Sequence, residues 1–360
     1  MTSRRGEYDV LYSLSVDSYG RCQKIRRKCD GKVMVWKEIF YGTLTESETQ
    51  RLMSEVKCRK KLKHPNILRC YDWIVDSANT KLYMVMEDCQ GDTLASLITS
   101  TSRERRHLDE QFILRVLAQL SSVLKFQRTR KSRPASFLHH NLKPENIFLD
   151  SEQNVMLGTC SYIPTVSAFT FFTQWFVWTM ALLNCFDHSL VFTSILQEQR
   201  NKMSFNDKCD VWSLGCLLYE LCTLCRYFPA QEQRVLAEKM PAATFIRIPG
   251  LYSEELGILL NNMLNLTGSL RPSVESIFQS NLLAEAVGEE TKKTQLWLQR
   301  RLKRIELNKK LRCVRKNKEN LSPIDPQFVM LHKIARRLRT DSQHASQVDK
   351  EPVGVCSLRL

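Results

Sequence analysis

Up to about residue 90 the apolar positions alternate rather than cycle. Tyr8–Leu14 is a short apolar run and Gly20–Lys28 a basic strand; Lys32–Ile39 alternates and is rich in Val, Met and Trp, which predicts a further strand. Thr45 breaks the pattern. Glu48 follows three residues later, then Leu52, Val56 and Leu62, the signature of a capped helix that His64-Pro65-Asn66 stops. Ile67–Val75 and Lys81–Glu87 read as two more strands.

From Asp92 the spacing becomes helical. Leu94–Ile98 predicts a short helix and Asp109–Phe126 a long one, with Phe112, Ile113, Val116, Leu117, Leu120 and Leu124 on one face. Asp207–Cys225 is strongly apolar, and further helices are predicted over Gln231–Lys239, Ser253–Leu264 and Val274–Phe278. A small strand-rich lobe with one helix, then a larger helical lobe, is an α+β layout. The 360 residues fit one two-lobed domain over 8–285 (lobes 8–90 and 91–285) and a tail over 286–360.

Composition narrows the setting. The polar start, Thr2–Glu7, predicts no secretory leader, and thirteen scattered cysteines in a chain of this length read as reduced thiols of a cytosolic or nuclear protein. The one CxxC, Cys222–Cys225, ends an apolar helix and reads as core packing. The net charge of +15 is uneven: Lys292–Lys316 holds eleven Lys or Arg and a single acid, Glu306. Such a run is a solvated helix face or tail, or a surface for acidic partners.

Lys37 stands inside the strand Lys32–Ile39, and Glu55 lies in the middle of the helix that follows. A buried ammonium needs a partner, and a packed helix can present a carboxylate to it. Further along come Leu138-His139-His140-Asn141-Leu142-Lys143-Pro144-Glu145-Asn146, followed by the apolar Ile147-Phe148-Leu149, then Asp210-Val211-Trp212-Ser213-Leu214-Gly215 and Arg271-Pro272-Ser273. The first has the spacing of H-R-D-L-K-x-x-N with two changes. The others match D-x-W-S-x-G and R-P-S.

Together with SYGRCQKIRRK (18–28), LKHPNI (62–67), LRVLAQL (114–120) and DVWSLGCLLYELC (210–222), these strings resemble the NIMA-related (NEK) serine/threonine protein kinases over roughly residues 7–285. The resemblance implies the bilobal protein-kinase fold, an ATP cleft with Mg²⁺, and protein substrates or partners. By the same resemblance Lys37 and Glu55 hold the α- and β-phosphates, Val16 and Gly20 belong to the glycine-rich loop, Met86 is the gatekeeper, and Glu87–Cys89 is the hinge that receives adenine. Asn141 occupies the position of the catalytic base, with Lys143 and Asn146 beside it. Asn146 and Thr159 occupy the metal positions. His139 and Asp210 are structural; Asp210 ties the catalytic loop, and Arg271 pairs with Glu198 at the end of the activation segment.

Four departures bear on function. The glycine-rich loop reads Ser15-Val16-Asp17-Ser18-Tyr19-Gly20, so only its last glycine remains, and Asp17 adds bulk and charge where phosphates would approach. Asn141 cannot accept a proton, and general-base catalysis is worth roughly 10²–10⁴ in rate; its neighbour, His140, replaces an arginine. The metal-binding motif reads Thr159-Cys160-Ser161, and a hydroxyl is a far poorer ligand than a carboxylate for a hard cation. Finally, the segment 159–198 is divergent: Gln153–Phe186 contains no charged residue, and Ala168–Phe186 is crowded with aromatic and aliphatic side chains. It reads either as a membrane helix or as a replaced activation segment. The second is favoured, because a spanning helix would separate the two halves of the large lobe.

The tail carries Leu296, Leu298, Leu302, Ile305, Leu307 and Leu311 at roughly helical spacing, which is short for a coiled coil and implies at most weak self-association through 292–316. Lys318-Glu319-Asn320 resembles a degron tripeptide, and Asp341–Leu360 reads as disordered. The expectation is a kinase-fold protein impaired in phosphoryl transfer, a pseudokinase or scaffold in the cytoplasm, at centrosomes or in the nucleus, with no specific nucleic-acid partner and no membrane anchorage. A slow ATP-dependent kinase and a non-functional product are the alternatives.

Overall fold

The computed structural model describes residues 4–17, 20–89, 91–128, 142–158, 208–225, 247–265 and 267–319, with Met330, Lys333, Ile334 and Arg336; for Val16 and Glu55 it describes the backbone alone. The chain forms two compact units, Met1–Val287 and Gly288–Leu360.

The first unit opens with five antiparallel strands, β1 (Tyr8–Asp17), β2 (Gly20–Arg27), β3 (Val33–Phe40), β4 (Cys70–Asp76) and β5 (Lys81–Met86), in the order β1-β2-β3-β5-β4. Alternation along β3 sends Met34 and Trp36 to the outer face, where they bury with Tyr8, Ile25, Ile74, Tyr83 and Val85. Ile39, Met84 and Met86 bury on the inner face, with Val35 packed against them, beside Leu52 and Val56 of helix α1 (Glu46–Lys60). The predicted cap of α1 is present: Glu48 N donates to Thr45 Oγ1 at 3.3 Å, and Thr45 N donates to Glu48 Oε2 at 2.8 Å.

In the larger lobe, α2 (Leu94–Arg103) and α3 (Glu110–Arg128) precede a two-stranded hairpin, β6 (Ile147–Leu149) and β7 (Val155–Leu157). Helices α4 (Lys208–Thr223), α5 (Glu254–Met263) and α6 (Val274–Phe278) follow. Ile113, Val116, Leu117, Leu120 and Leu124 of α3 share one core with Leu214, Leu217 and Leu221 of α4 and Leu256 and Leu260 of α5. Cys222 is buried in α4, as core packing of the CxxC requires, but Cys225 lies beyond the helix end and is exposed, so the core-packing expectation holds for only one of the two.

Several boundaries differ from expectation; β1 runs on to Asp17 rather than ending at Leu14, and α3 to Arg128 rather than Phe126. Helix α2 runs five residues past Ile98, because Thr99 and Ser100 donate their hydroxyls to Ala95 O and Leu97 O and the polar run does not terminate it. Strand β4 begins at Cys70 rather than Ile67; Leu68 N donates instead to Leu157 O, so residues 66–68 serve the β6–β7 hairpin. The tail helix, α7, is longer than the segment 292–316, spanning Ala284–Glu319 without a break. The predicted helix 231–239, the segment 161–196, Asn320 and the terminal stretch 341–360 lie outside the described residues. Among the described residues no helix is long and apolar enough to cross a membrane.

Candidate nucleotide site

Strand register assembles a two-row surface. Cys22, Lys37 and Met84 are direct partners across β2, β3 and β5; Tyr12, Lys24, Val35 and Met86 form the row two residues away across β1, β2, β3 and β5. Positions two apart on a strand share a face, so both rows lie on one side of the sheet. Val35, Met86, Cys89 and Phe148 of β6 belong to one apolar cluster between the sheet and the hairpin, the place expected for the adenine slot. Lys37 stands beside this slot, only 8% exposed. Glu55 lies on the turn of α1 that places Leu52 and Val56 against the same inner face. Val16 stands near the end of β1, one register step from the turn into β2.

Gly20 opens β2 with φ +146°, and a Cβ there would lie 1.8 Å from Glu38 O. Only glycine lets β2 leave the turn this close to β3. The surviving glycine of the loop is therefore the one that the sheet itself needs.

The segment expected to be the hinge, Glu87–Cys89, is held largely by backbone groups. Glu87 N donates to Arg69 O at 2.9 Å. The Cys89 thiol donates to Leu149 O at 3.6 Å, and burial pushes its pKa up to about 11. Leu149 N donates to Asp92 O at 2.9 Å, and a Cβ on Gly91 would sit 1.6 Å from Leu149 O. At the outer edge of the slot, Lys24 Nζ meets Asp88 Oδ2 at 3.1 Å, spanning from the roof strand to the hinge. That hydrogen bond holds the Lys24 ammonium pKa above its usual value.

Below the slot, a single turn over Pro144–Asn146 leads into β6, with Asn146 N donating to Lys143 O at 2.9 Å. Gly158 N donates to Asn146 O at 2.8 Å. One expected metal ligand, Asn146, is thus the hydrogen-bonded neighbour of the residue preceding the other, Thr159. His139, Asn141, Thr159 and Glu198 themselves lie outside the described residues. Asp210 is buried in the first turn of α4. Arg271 donates to Asn265 O at 2.7 Å and Lys208 O at 3.1 Å, and its guanidinium lies 4.7 Å from the Trp212 ring, so it ties the start of α4 to the loop after α5.

Two features escaped the sequence reading. The Lys24–Asp88 pair joins residues 64 positions apart, although the alternation Cys22, Lys24 already put Lys24 on the cleft face. Arg59, at the end of α1, is only 7% exposed and lines a cavity of about 10 Å³, roughly one water, with Leu62, Ile67, Leu68, Cys70, Gln127, Leu157 and Gly158. Nothing in the charged spacing of α1 marks Arg59 as its inward residue.

A five-stranded sheet with one long helix, followed by a two-stranded hairpin and a helical core, is the bilobal layout of a protein-kinase domain. The chain matches the protein kinase domain over residues 8–283 and belongs to the protein kinase family. Its similarity places it among the NIMA-related kinases: it is 48% identical over 293 residues to serine/threonine-protein kinase Nek2 of Homo sapiens, covering 81% of this chain and 63% of that protein. It is 36% identical over 283 residues to the probable serine/threonine-protein kinase nek2 of Dictyostelium discoideum, covering 79% and 64%. With the G2-specific protein kinase nimA of Emericella nidulans it shares 26% over 366 residues, 94% of this chain and 48% of that protein. The chain thus spans just under two thirds of the first two relatives.

Proposed function

We propose that this chain is a NIMA-related kinase-fold protein that keeps the adenine side of the nucleotide cleft, has lost most or all phosphoryl transfer, and works by binding proteins in the cytoplasm, at centrosomes or in the nucleus. The reading is carried by one contrast. Val35, Met86, Cys89 and Phe148 share one apolar cluster on the face of the sheet that carries the buried Lys37, which supports the adenine side of the reading. The positions that would supply carboxylates carry Asn141 and Thr159 instead.

The slot suits adenine, which stacks between apolar side chains and takes hydrogen bonds from hinge backbone. Lys37 suits phosphate, with Glu55 as its partner. A divalent cation bound there would neutralise charge on the phosphates, and this chain offers it one side-chain amide oxygen from Asn146 and a Thr159 hydroxyl. Mg²⁺ favours carboxylate oxygens and keeps several waters, so the set is a weak one. Without a proton acceptor at Asn141, the protein can hold a substrate hydroxyl near the phosphates but cannot activate it.

The test is a thermal-shift titration of the full chain with ATP, with and without Mg²⁺, followed by a phosphotransfer assay. A ligand that binds only the folded state raises its apparent stability. A rise without metal dependence and without transfer is expected. A metal-dependent rise with transfer would overturn the reading in favour of a slow kinase; a cooperative transition with no rise would remove nucleotide from it. Thr159→Asp with Asn141→Asp is expected to restore metal dependence.

A further inference from the structure

Helix α7 presents one face whose chemistry changes along its length. Leu298, Leu302 and Ile305 follow one another at steps of four and three, and are 43%, 65% and 40% exposed. The same spacing continues through Lys309, Arg312 and Lys316, all exposed. Residues three and four apart on a helix are surface neighbours, so the six form a single stripe. It is apolar for two turns and cationic for the next three. At ~1.5 Å per residue it is about 27 Å long. On the flank, Lys303 and Lys310 add exposed charge, and the one acid between Leu298 and Lys316, Glu306, is taken by Lys310 at 2.9 Å; the next step of the spacing reaches Glu319.

This sequence of surfaces selects its occupant. A second copy aligned in parallel would set Lys309, Arg312 and Lys316 against themselves. An antiparallel copy would set them against Leu298, Leu302 and Ile305. An anionic bilayer takes up the apolar half of such a stripe but then draws the cationic half of the same face to the same depth. A nucleic acid engages the cations and leaves the apolar half in water. A protein groove can match both halves if it offers an apolar floor that gives way to carboxylates.

We infer that this stripe docks into an acidic, helix-receiving groove of the kind that a calcium-loaded EF-hand protein opens. Such grooves take a helix by anchors at i, i+4 and i+7, the spacing of Leu298, Leu302 and Ile305. Calcium opens the apolar floor, and the surrounding Asp and Glu side chains supply the negative charge. The inference stands apart from the nucleotide reading: it uses no residue of the cleft.

The experiment is fluorescence anisotropy of labelled calmodulin, as a probe groove, titrated with the full chain in calcium and in EGTA. Calcium-dependent binding is expected. Because Leu302 is exposed, Leu302→Asp leaves the fold intact and is expected to weaken binding at least about tenfold, the scale of one buried leucine. Lys309→Glu with Arg312→Glu is expected to weaken it and to flatten its salt dependence. No binding in calcium, or binding that Leu302→Asp leaves unchanged, overturns the inference. So does equal affinity for poly-glutamate or phosphatidylserine vesicles, since a plain polycation would show that. A concentration-dependent dimer in sedimentation that Leu302→Asp dissolves would hand the stripe to a second copy instead.

Discussion

Gly91→Ala tests whether the hinge and the floor of the cleft are one mechanical piece. A methyl group at residue 91 would lie 1.6 Å from Leu149 O and 2.7 Å from Leu149 C, both backbone atoms that cannot rotate away. Ordinary contact needs about 3.4 Å or more, so the hinge and β6 must separate by roughly 2 Å. That displacement breaks the 2.9 Å bond from Leu149 N to Asp92 O and the 3.6 Å contact from the Cys89 thiol to Leu149 O. It also pulls Cys89 away from Phe148 in the apolar slot. One backbone hydrogen bond is worth about 1 kcal/mol net, and leaving its groups buried and unmet costs about 1–3 kcal/mol. Opening the slot forfeits some apolar burial as well. The total is about 2–4 kcal/mol, a fall in Tm of roughly 3–7 °C for a domain of this size. Urea unfolding of the full chain measures the first quantity, and ATP thermal shift measures how far the slot opens. A variant within about 0.5 kcal/mol of the parent, with nucleotide response unchanged, would refute the idea that hinge and floor are locked by this approach.

Four other outcomes follow from the same geometry. Gly257 lies inside α5, where a methyl group would meet nothing within 4 Å, so Gly257→Ala is expected to stabilise by about 0.5–1 kcal/mol in the same urea assay. Thr45→Ala removes the hydroxyl that accepts from Glu48 N in the α1 capping box and is expected to cost about 1 kcal/mol, whereas Thr45→Ser is expected to retain most of it. The Lys24–Asp88 pair is partly open to water, so Asp88→Asn is expected to cost under about 1 kcal/mol, with the difference vanishing in molar salt. Burial lowers the His64 pKa from 6.5 to about 4 in the folded chain, while the unfolded chain still protonates near its ordinary value. Stability is therefore whole above pH 6.5 and falls as pH drops from 6.5 to 4, by up to about 3 kcal/mol, and His64→Gln is expected to flatten that part of the profile.

Much of the small lobe was legible because local signals and tertiary demands coincide there. Thr45 and Glu48 name the start of α1 on their own, and Met34 and Trp36 alternate with Val35, Lys37 and Ile39 as the two faces of β3 require. Polar residues misled in one place: the run Thr99-Ser100-Thr101-Ser102 looks like a stop, yet the hydroxyls of Thr99 and Ser100 bond within the helix. Non-local features were not legible. Asp88 finds Lys24 only after β2, β3 and β5 are in register, and Arg59 turns inward although α1 carries cations throughout its last turn. The site itself was readable as strings of residue types, since spacing survives substitution. Its floor was not, because the use of Leu157 by residues 66–68 joins segments about ninety positions apart.

That last feature sets the smallest unit that can stand alone. Leu157 N donates to Asn66 O at 2.8 Å, Leu68 N donates to Leu157 O at 2.9 Å, and Asn66 Nδ2 donates to Val155 O at 2.9 Å. A fragment ending at the hinge would expose all three groups of the small lobe to nothing but solvent, along with Met84 and Met86, whose cluster includes Phe148 and Met156. The first ninety residues are a lobe by shape but not by autonomy. The β6–β7 hairpin therefore serves both lobes: its edge satisfies residues 66–68 of the small lobe, while Ile147, Leu149, Val155 and Leu157 bury in the helical core, so the chain cannot be cut between the lobes without stranding one side of it.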